Sequence, residues 1–285
     1  MKINGLNYHV ASSGAGPSLV MLHGFTGSAA NWQPVAGALA RHCRPVAVDL
    51  IGHGQSEAPA DPARYTLEHV AGDVIALVEM LAQPPVYLLG YSMGGRVALY
   101  LATQRPDLFR AVILESASPG LADPSQRAAR RAQDDALADR IEREGVTAFV
   151  DYWEALPLWA SQSRLTQAQR DQLRALRLKN DPIGLANCLR GFGTGVQPDL
   201  WPALSNLRLP VLLIVGEDDI KFQSINAQMA AALPNARLEI VPQAGHTVHL
   251  EQSDAYAARV LAFLDAVARQ SSTGVPPAPG SEPHA

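Results

Sequence analysis

Cysteine is scarce in this chain: Cys43 and Cys188 are the only two in 285 residues, with no C-x-x-C spacing. That excludes a disulfide-stapled module and suits a reducing cytosol. An excess of charge of one sign is missing too, with 23 basic against 27 acidic residues and a formal net charge of −4. A general affinity for nucleic acid or an anionic membrane is thereby excluded, so any anion site must be a local cluster of cations. Long apolar runs are absent; stretches such as VLLIV (211–215) have strand length and fall far short of a bilayer span. The opening residues, MKINGLNYHV, are polar where a signal peptide needs an apolar run. No H-E-x-x-H, no cysteine–histidine cluster and no internal repeat occurs, so no metal is expected. The expectation is a soluble, cytoplasmic protein, a monomer or weak homo-oligomer, that binds neither nucleic acid nor membrane.

What is present is enough apolar sequence, 47% of residues, to bury a sizeable core. Short apolar runs at 19–22, 45–49, 86–89, 111–114, 211–215 and 237–241 read as strands. They are nearly continuous in hydrophobicity, as strands buried on both faces are. Amphipathic stretches at 66–82, 95–104, 224–233 and 254–269 read as helices between them. This alternation predicts an α/β fold with a mostly parallel, doubly wound sheet. It breaks between 119 and 200, where charged helical stretches at 126–145 and 165–180 stand in place of strands. The expected organisation is a core over 1–118, a helical cap over 119–200, a second part of the core over 201–270, and a disordered Pro/Gly/Ser-rich tail over 271–285.

Gly90-Tyr91-Ser92-Met93-Gly94 follows a strand and opens a helical pattern, the context that a G-x-S-x-G nucleophile elbow requires. A serine hydroxyl is inert at neutral pH without a base, and the base needs an orienting acid. The chain order on such a fold is serine, acid, histidine. After the strand at 211–215 comes Gly216-Glu217-Asp218-Asp219, and after that at 237–241 comes Ala244-Gly245-His246. Both loops leave strand carboxyl ends, where α/β sheets assemble their sites. His246 is therefore the expected base. Asp219 is the chosen acid, with Asp218 next and Glu115 third; His249 is expected to be structural. Preorganised donors for a developing oxyanion are expected from the backbone amides of Met93 and Phe25, with His23 orienting the second loop. The glycine-rich turn DLIGHGQS (49–56) has the wrong spacing for a dinucleotide or phosphate loop and reads as structural.

Arg96 lies four residues after Ser92, near a helix start, where the macrodipole favours negative charge. The cap adds Arg127, Arg130, Arg131, Arg170, Arg174 and Arg177. Most helical arginines form solvated faces and i,i+4 pairs, and Arg130 with Asp134 or Arg170 with its neighbour Asp171 fit that reading. Trp153 and Trp159 fit cap packing.

Together HGF, DLIGHGQS, GYSMGG, GEDD and AGH resemble the α/β-hydrolase superfamily. More narrowly, GYSMGGRVALY, SPGLADPSQRAARR, FVDYWEALPLWAS, LRALRLKN, GFGTGVQPDLW, GEDDIKF and AGHTVHLEQ resemble the 2-succinyl-6-hydroxy-2,4-cyclohexadiene-1-carboxylate synthases of menaquinone biosynthesis. That resemblance implies a lyase that needs no cofactor and removes a carbon-bound proton, whereupon a polycarboxylate substrate expels pyruvate. It implies Ser92, Asp219 and His246 as the triad and Phe25 and Met93 as oxyanion amides. Tyr91 would lie beside the serine, and Arg96, Arg130 and Arg177 would hold substrate carboxylates. The cap aromatic falls on Trp153, or on Tyr152 if the register slips by one. Competing readings are an esterase or carbon–carbon bond hydrolase with the same triad, a noncatalytic small-molecule receptor on this fold, and, least favoured, a partner-binding scaffold.

Overall fold

The computed structural model describes residues 1–81 and 84–273. Three short strands open the chain, β1 (Lys2–Ile3), β2 (Leu6–Asn7) and β3 (Val10–Ser12), followed by β4 (Ser18–Leu22), α1 (Gln33–Leu39), β5 (Arg44–Val48) and α2 (Leu67–Leu81). The centre is β6 (Val86–Tyr91), α3 (Met93–Gln104) and β7 (Phe109–Glu115). Four helices then intervene, α4 (Pro124–Glu154), α5 (Gln167–Arg177), α6 (Pro182–Phe192) and α7 (Trp201–Leu204). The chain closes with β8 (Val211–Gly216), α8 (Ile220–Ala232), β9 (Ala236–Val241), α9 (Val248–Glu251) and α10 (Ser253–Thr273).

Seven strands form the main sheet in the order β3-β5-β4-β6-β7-β8-β9, parallel except for β3. The period of two along each strand divides the core between the two faces. Val20, Leu22, Val112 and Leu114 pack on the side of α2 and α3, while Leu19, Met21, Ala111 and Ile113 pack on the side of α1 and α10. The chain winds outward from β4 to β5, then crosses to β6 on the other side of β4. The reversal opens a crevice between the carboxyl ends of β4 and β6, the place where such sheets bind ligands.

The sequence reading did not separate out β1 to β3, α1 or α6. The first three strands carry no apolar run. In α6, Asp181 caps the helix by accepting from the Gly184 amide at 3.0 Å, and Pro182 occupies its first turn. Its apolar residues face two ways. Leu185, Ala186 and Leu189 pack on Ala138, Ile141 and Phe149 of α4, whereas Cys188 and Phe192 join the core beneath the sheet. The helical insertion is thus rooted in the core through α6. Helix α4 is broken at Gly145 (φ 79°, ψ 171°), where the charged helical stretch was expected to end. Helix α10 continues through Thr273, which moves the expected tail boundary at 271; residues 274–285 lie outside the described residues. Among the described residues no helix is long and apolar enough to cross a membrane.

The turn after β6 packs backbone against backbone. A Cβ on Gly94 would stand 2.2 Å from the Leu22 carbonyl oxygen and 2.5 Å from that of His23. Its own amide donates to His23 O at 3.1 Å. Backbone cannot yield there as a side chain can. Gly94→Ala is expected to destabilise the chain by at least about 2 kcal/mol and lower Tm by about 5 °C. A thermal melt checks it, and an unchanged Tm would show that the loop after β4 is free to move.

Candidate active site

Ser92 caps α3 with φ 49° and ψ −105°, a strained backbone that pushes its side chain out of the turn. Its amide is held by Glu115 O at 2.8 Å. Ser92 Oγ lies 3.1 Å from His246 Nε2, and His246 Nδ1 lies 2.6 Å from Asp219 Oδ2. Asp219 and His246 are both buried, at 6% and 3% exposure, so the pair is shielded from water. With Nδ1–H donated to the carboxylate, Nε2 is left to accept the serine proton.

The structure separates the three candidate acids. Asp218 is half exposed and ion-paired with Arg164 of the insertion. Glu115 is fully buried against His249, with Oε2 2.8 Å from the ring Nδ1 and Oε1 accepting the His249 amide at 3.1 Å. Only Asp219 faces His246. The base loop is itself clamped, because Glu251 accepts the amides on either side of His246, from Gly245 at 2.9 Å and Thr247 at 3.2 Å. Burial raises the Glu251 pKa, and those amides and Arg164 act against it.

On the opposite side, the amides of Phe25 and Met93 make no hydrogen bond to the described residues, which leaves them open to an incoming oxyanion. His23 fixes the Phe25 loop. Its Nε2 accepts the Leu50 amide at 3.0 Å, so its Nδ1 donates to Gly24 O at 2.8 Å. Burial pushes its pKa down to about 4, keeping it neutral in that role. In the glycine-rich turn, Asp49 accepts the Gln55 amide at 2.7 Å and the Ala29 amide at 2.5 Å, tying two loops together.

A cavity of about 1110 Å³ opens in front of Ser92. Its charged lining consists of Arg96, Arg130 and Lys221 against Asp123 alone, so the field inside favours anions. Arg96 has no carboxylate within ion-pair distance among the described residues. Its Nη1 donates to Phe192 O, the last carbonyl of α6, at 2.8 Å. A cation that would be unfavourable at the start of α3 is thus partly offset by the negative end of α6. Burial, and then the nearby Arg130 charge, lower its pKa to about 10, which leaves it cationic at neutral pH. Arg130 is paired with Asp134 at 2.8 Å, and Asp134 is held in turn by the Gly195 amide at 3.0 Å. A Cβ on Gly195 would stand 2.3 Å from the Arg131 amide nitrogen, so the GTG stretch packs directly on α4 behind Arg130.

Trp153 lines the cavity, edge-on to Phe25 at 5.5 Å, while Tyr152 is exposed and lies under Arg140. Tyr91 is buried beside the serine, with its hydroxyl 3.2 Å from Thr247 Oγ1. Arg177 is not in the catalytic cavity. It is buried at 5% exposure in an adjacent crevice shared with Phe25, Tyr91 and Trp159, and it pairs with Glu154 at 2.9 Å. The expected Arg170–Asp171 pair does not form. Arg170 instead donates to the carbonyls of Ser163 and Leu165 and to Gln167, and Gln167 takes Asp171. Lys221 and Trp159 are cavity residues that the sequence reading did not assign. Lys221 stands ahead of the helix expected at 224–233, so its place in the first turn of α8 could not be read from the expected elements. Trp159 had no signal.

The matches to known proteins agree with this fold. A family model described as the alpha/beta hydrolase fold matches residues 17–253. A Bacillus subtilis (strain 168) protein, provisionally named 2-succinyl-6-hydroxy-2,4-cyclohexadiene-1-carboxylate synthase, is 44% identical over 266 residues, covering 93% of this chain and 97% of its own. The Serratia proteamaculans (strain 568) protein of that name, without the qualification, is 36% identical, covering 87% and 93%. Among solved structures, MenH from S. aureus superposes with a TM-score of 0.87 at 34% identity, covering 91% of this chain and 98% of that one.

If Asp219 orients His246, Asp219→Asn should lower kcat by about ten-thousand-fold through the wrong imidazole tautomer. Asp218→Asn should cost less than about threefold, since its pair is solvent-exposed. Steady-state rates of the two variants check this, and comparable losses would reassign the acid. The chain belongs to the α/β-hydrolase fold family and, within it, to the group that contains the 2-succinyl-6-hydroxy-2,4-cyclohexadiene-1-carboxylate synthases.

Proposed function

We propose that the chain catalyses the synthase reaction of these relatives, releasing pyruvate from 2-succinyl-5-enolpyruvyl-6-hydroxy-3-cyclohexene-1-carboxylate by elimination. The observation that carries the reading is an assembled Ser92–His246–Asp219 triad facing a cavity whose charges are three cations and one carboxylate. A hydrolase of neutral esters has no use for an unneutralised Arg96 beside its nucleophile. A polycarboxylate does, because guanidinium groups bind carboxylates bidentately.

In this mechanism Nε2 of His246 takes the Ser92 proton, and the alkoxide removes a carbon-bound proton from the substrate. The electron pair moves into the conjugated system and the carbon–oxygen bond to the enolpyruvyl group breaks. The imidazolium returns its proton to the departing enolpyruvate, which becomes pyruvate. Serine and histidine end as they began, and no covalent intermediate forms. Charge developing on the substrate oxygen is met by the Phe25 and Met93 amides. Arg96 and Arg130 hold carboxylates, and the Trp153 indole N–H, buried without a partner, is a further donor on the cavity wall. A cytoplasmic setting suits the two buried free thiols, Cys43 and Cys188.

Supplying the enolpyruvyl substrate and following pyruvate with a coupled dehydrogenase tests the proposal. Release well above the spontaneous rate is expected; background release alongside fast ester hydrolysis would favour a hydrolase instead. Arg96→Ala should lower kcat/KM for the polyanion by about a hundredfold and that for a small neutral ester by less than about threefold. Equal losses would make Arg96 structural.

A further inference from the structure

Trp159 borders three voids. The first is the catalytic cavity. The second is a crevice of about 20 Å³, room for one water, walled off from the cavity by Phe25, Tyr91 and Trp159. The third is a solvent-open depression of about 460 Å³ lined by the end of α4, the 3-10 segment Pro157–Arg164 and α5. The crevice and this cap cavity share Trp159, Gln162, Leu173 and Arg177.

The polar groups at that shared wall are incompletely used. Arg177 Nε and Trp159 Nε1 are buried without a hydrogen-bond partner. Arg177 gives Nη1 to Glu154 and stacks its guanidinium over the Trp159 ring at 5.2 Å. Gln162 Nε2 donates to Thr247 Oγ1 at 3.1 Å, so the wall also touches the loop of the catalytic base. Beyond it, the charged lining of the cap cavity is Arg170, Arg174 and Arg177 against Glu154 and Asp171. Arg174 is neutralised by Asp151 and Glu154. Arg170 is held by carbonyls and a glutamine only, so its charge has no counter-ion among the described residues.

We propose that the cap cavity is a second binding site, for a small 2-oxo monocarboxylate. The identity of that acid as pyruvate rests on the elimination reading. Two anions formed side by side in one cavity repel each other. The smaller has a cationic step at Arg177, with unused donors on Arg177 and Trp159, and a further cation at Arg170 beyond.

The test uses the full chain and pyruvate, observed by saturation-transfer NMR, with two substitutions outside the catalytic cavity. Arg170→Gln removes the free charge, and Ala160→Phe fills the cap cavity from an exposed position that lines neither other void. The pyruvate binding that persists in Arg130→Gln should weaken at least about fivefold when Arg170→Gln is added and be lost when Ala160→Phe is added. Inhibition of turnover by added pyruvate should weaken in step, with kcat/KM held within about twofold. Pyruvate binding that is absent from the unmodified chain, or unchanged in both cap variants, overturns the proposal. Failure of the elimination reading would show separately, as no pyruvate release in the turnover assay, while the binding titration still decides what the cap cavity takes.

Discussion

The close backbone contact between the turn after β6 and the end of β4 governs the site. Gly94 sits against the carbonyls of Leu22 and His23 with no room for a Cβ, and its amide donates to His23 O. The contact joins the two strands at which the winding of the sheet reverses. It brings the Phe25 loop beside Ser92, so the serine and the Phe25 and Met93 amides share one corner. The acid and base arrive from β8 and β9, farther along the same carboxyl edge. A triad built this way needs no ligand to bring Ser92, His246 and Asp219 within hydrogen-bond distance.

Electrostatics then adapts this scaffold to anions. Arg96 stands at the unfavourable end of α3 and is partly stabilised by the last carbonyl of α6. Because α6 is anchored both to α4 and to the core, the insertion and the nucleophile helix meet at Arg96. Arg130 is set by a chain running through Asp134 to Gly195, which accounts for the GTG stretch. Lys221, in the first turn of α8 just after the triad acid, adds a third cation.

The strands, the elbow and the two catalytic loops were legible because each is local: a short apolar run followed by a turn. What was not legible depends on long-range contacts. Asp218 and Asp219 are adjacent and chemically alike, and Arg164, 54 residues from Asp218, is what occupies the first and leaves the second to His246. Helix α6 faces α4 on one side and the core on the other, so no single amphipathic stripe marks it. Arg170 and Arg177 read alike on a helix surface, yet one binds carbonyls and the other is buried against Glu154 and Trp159. The resemblance correctly identified the fold and the related synthases; Arg177, which it assigned to substrate carboxylates, lines a small crevice that shares Phe25, Tyr91 and Trp159 with the catalytic cavity.

The central claim is that Ser92 acts as a base and never becomes acylated. Intact-protein mass spectrometry on samples acid-quenched during turnover of the enolpyruvyl substrate tests it most directly. The account predicts the unmodified mass at every time point while pyruvate accumulates. A transient adduct that is lost in Ser92→Ala would contradict it and make the serine a nucleophile.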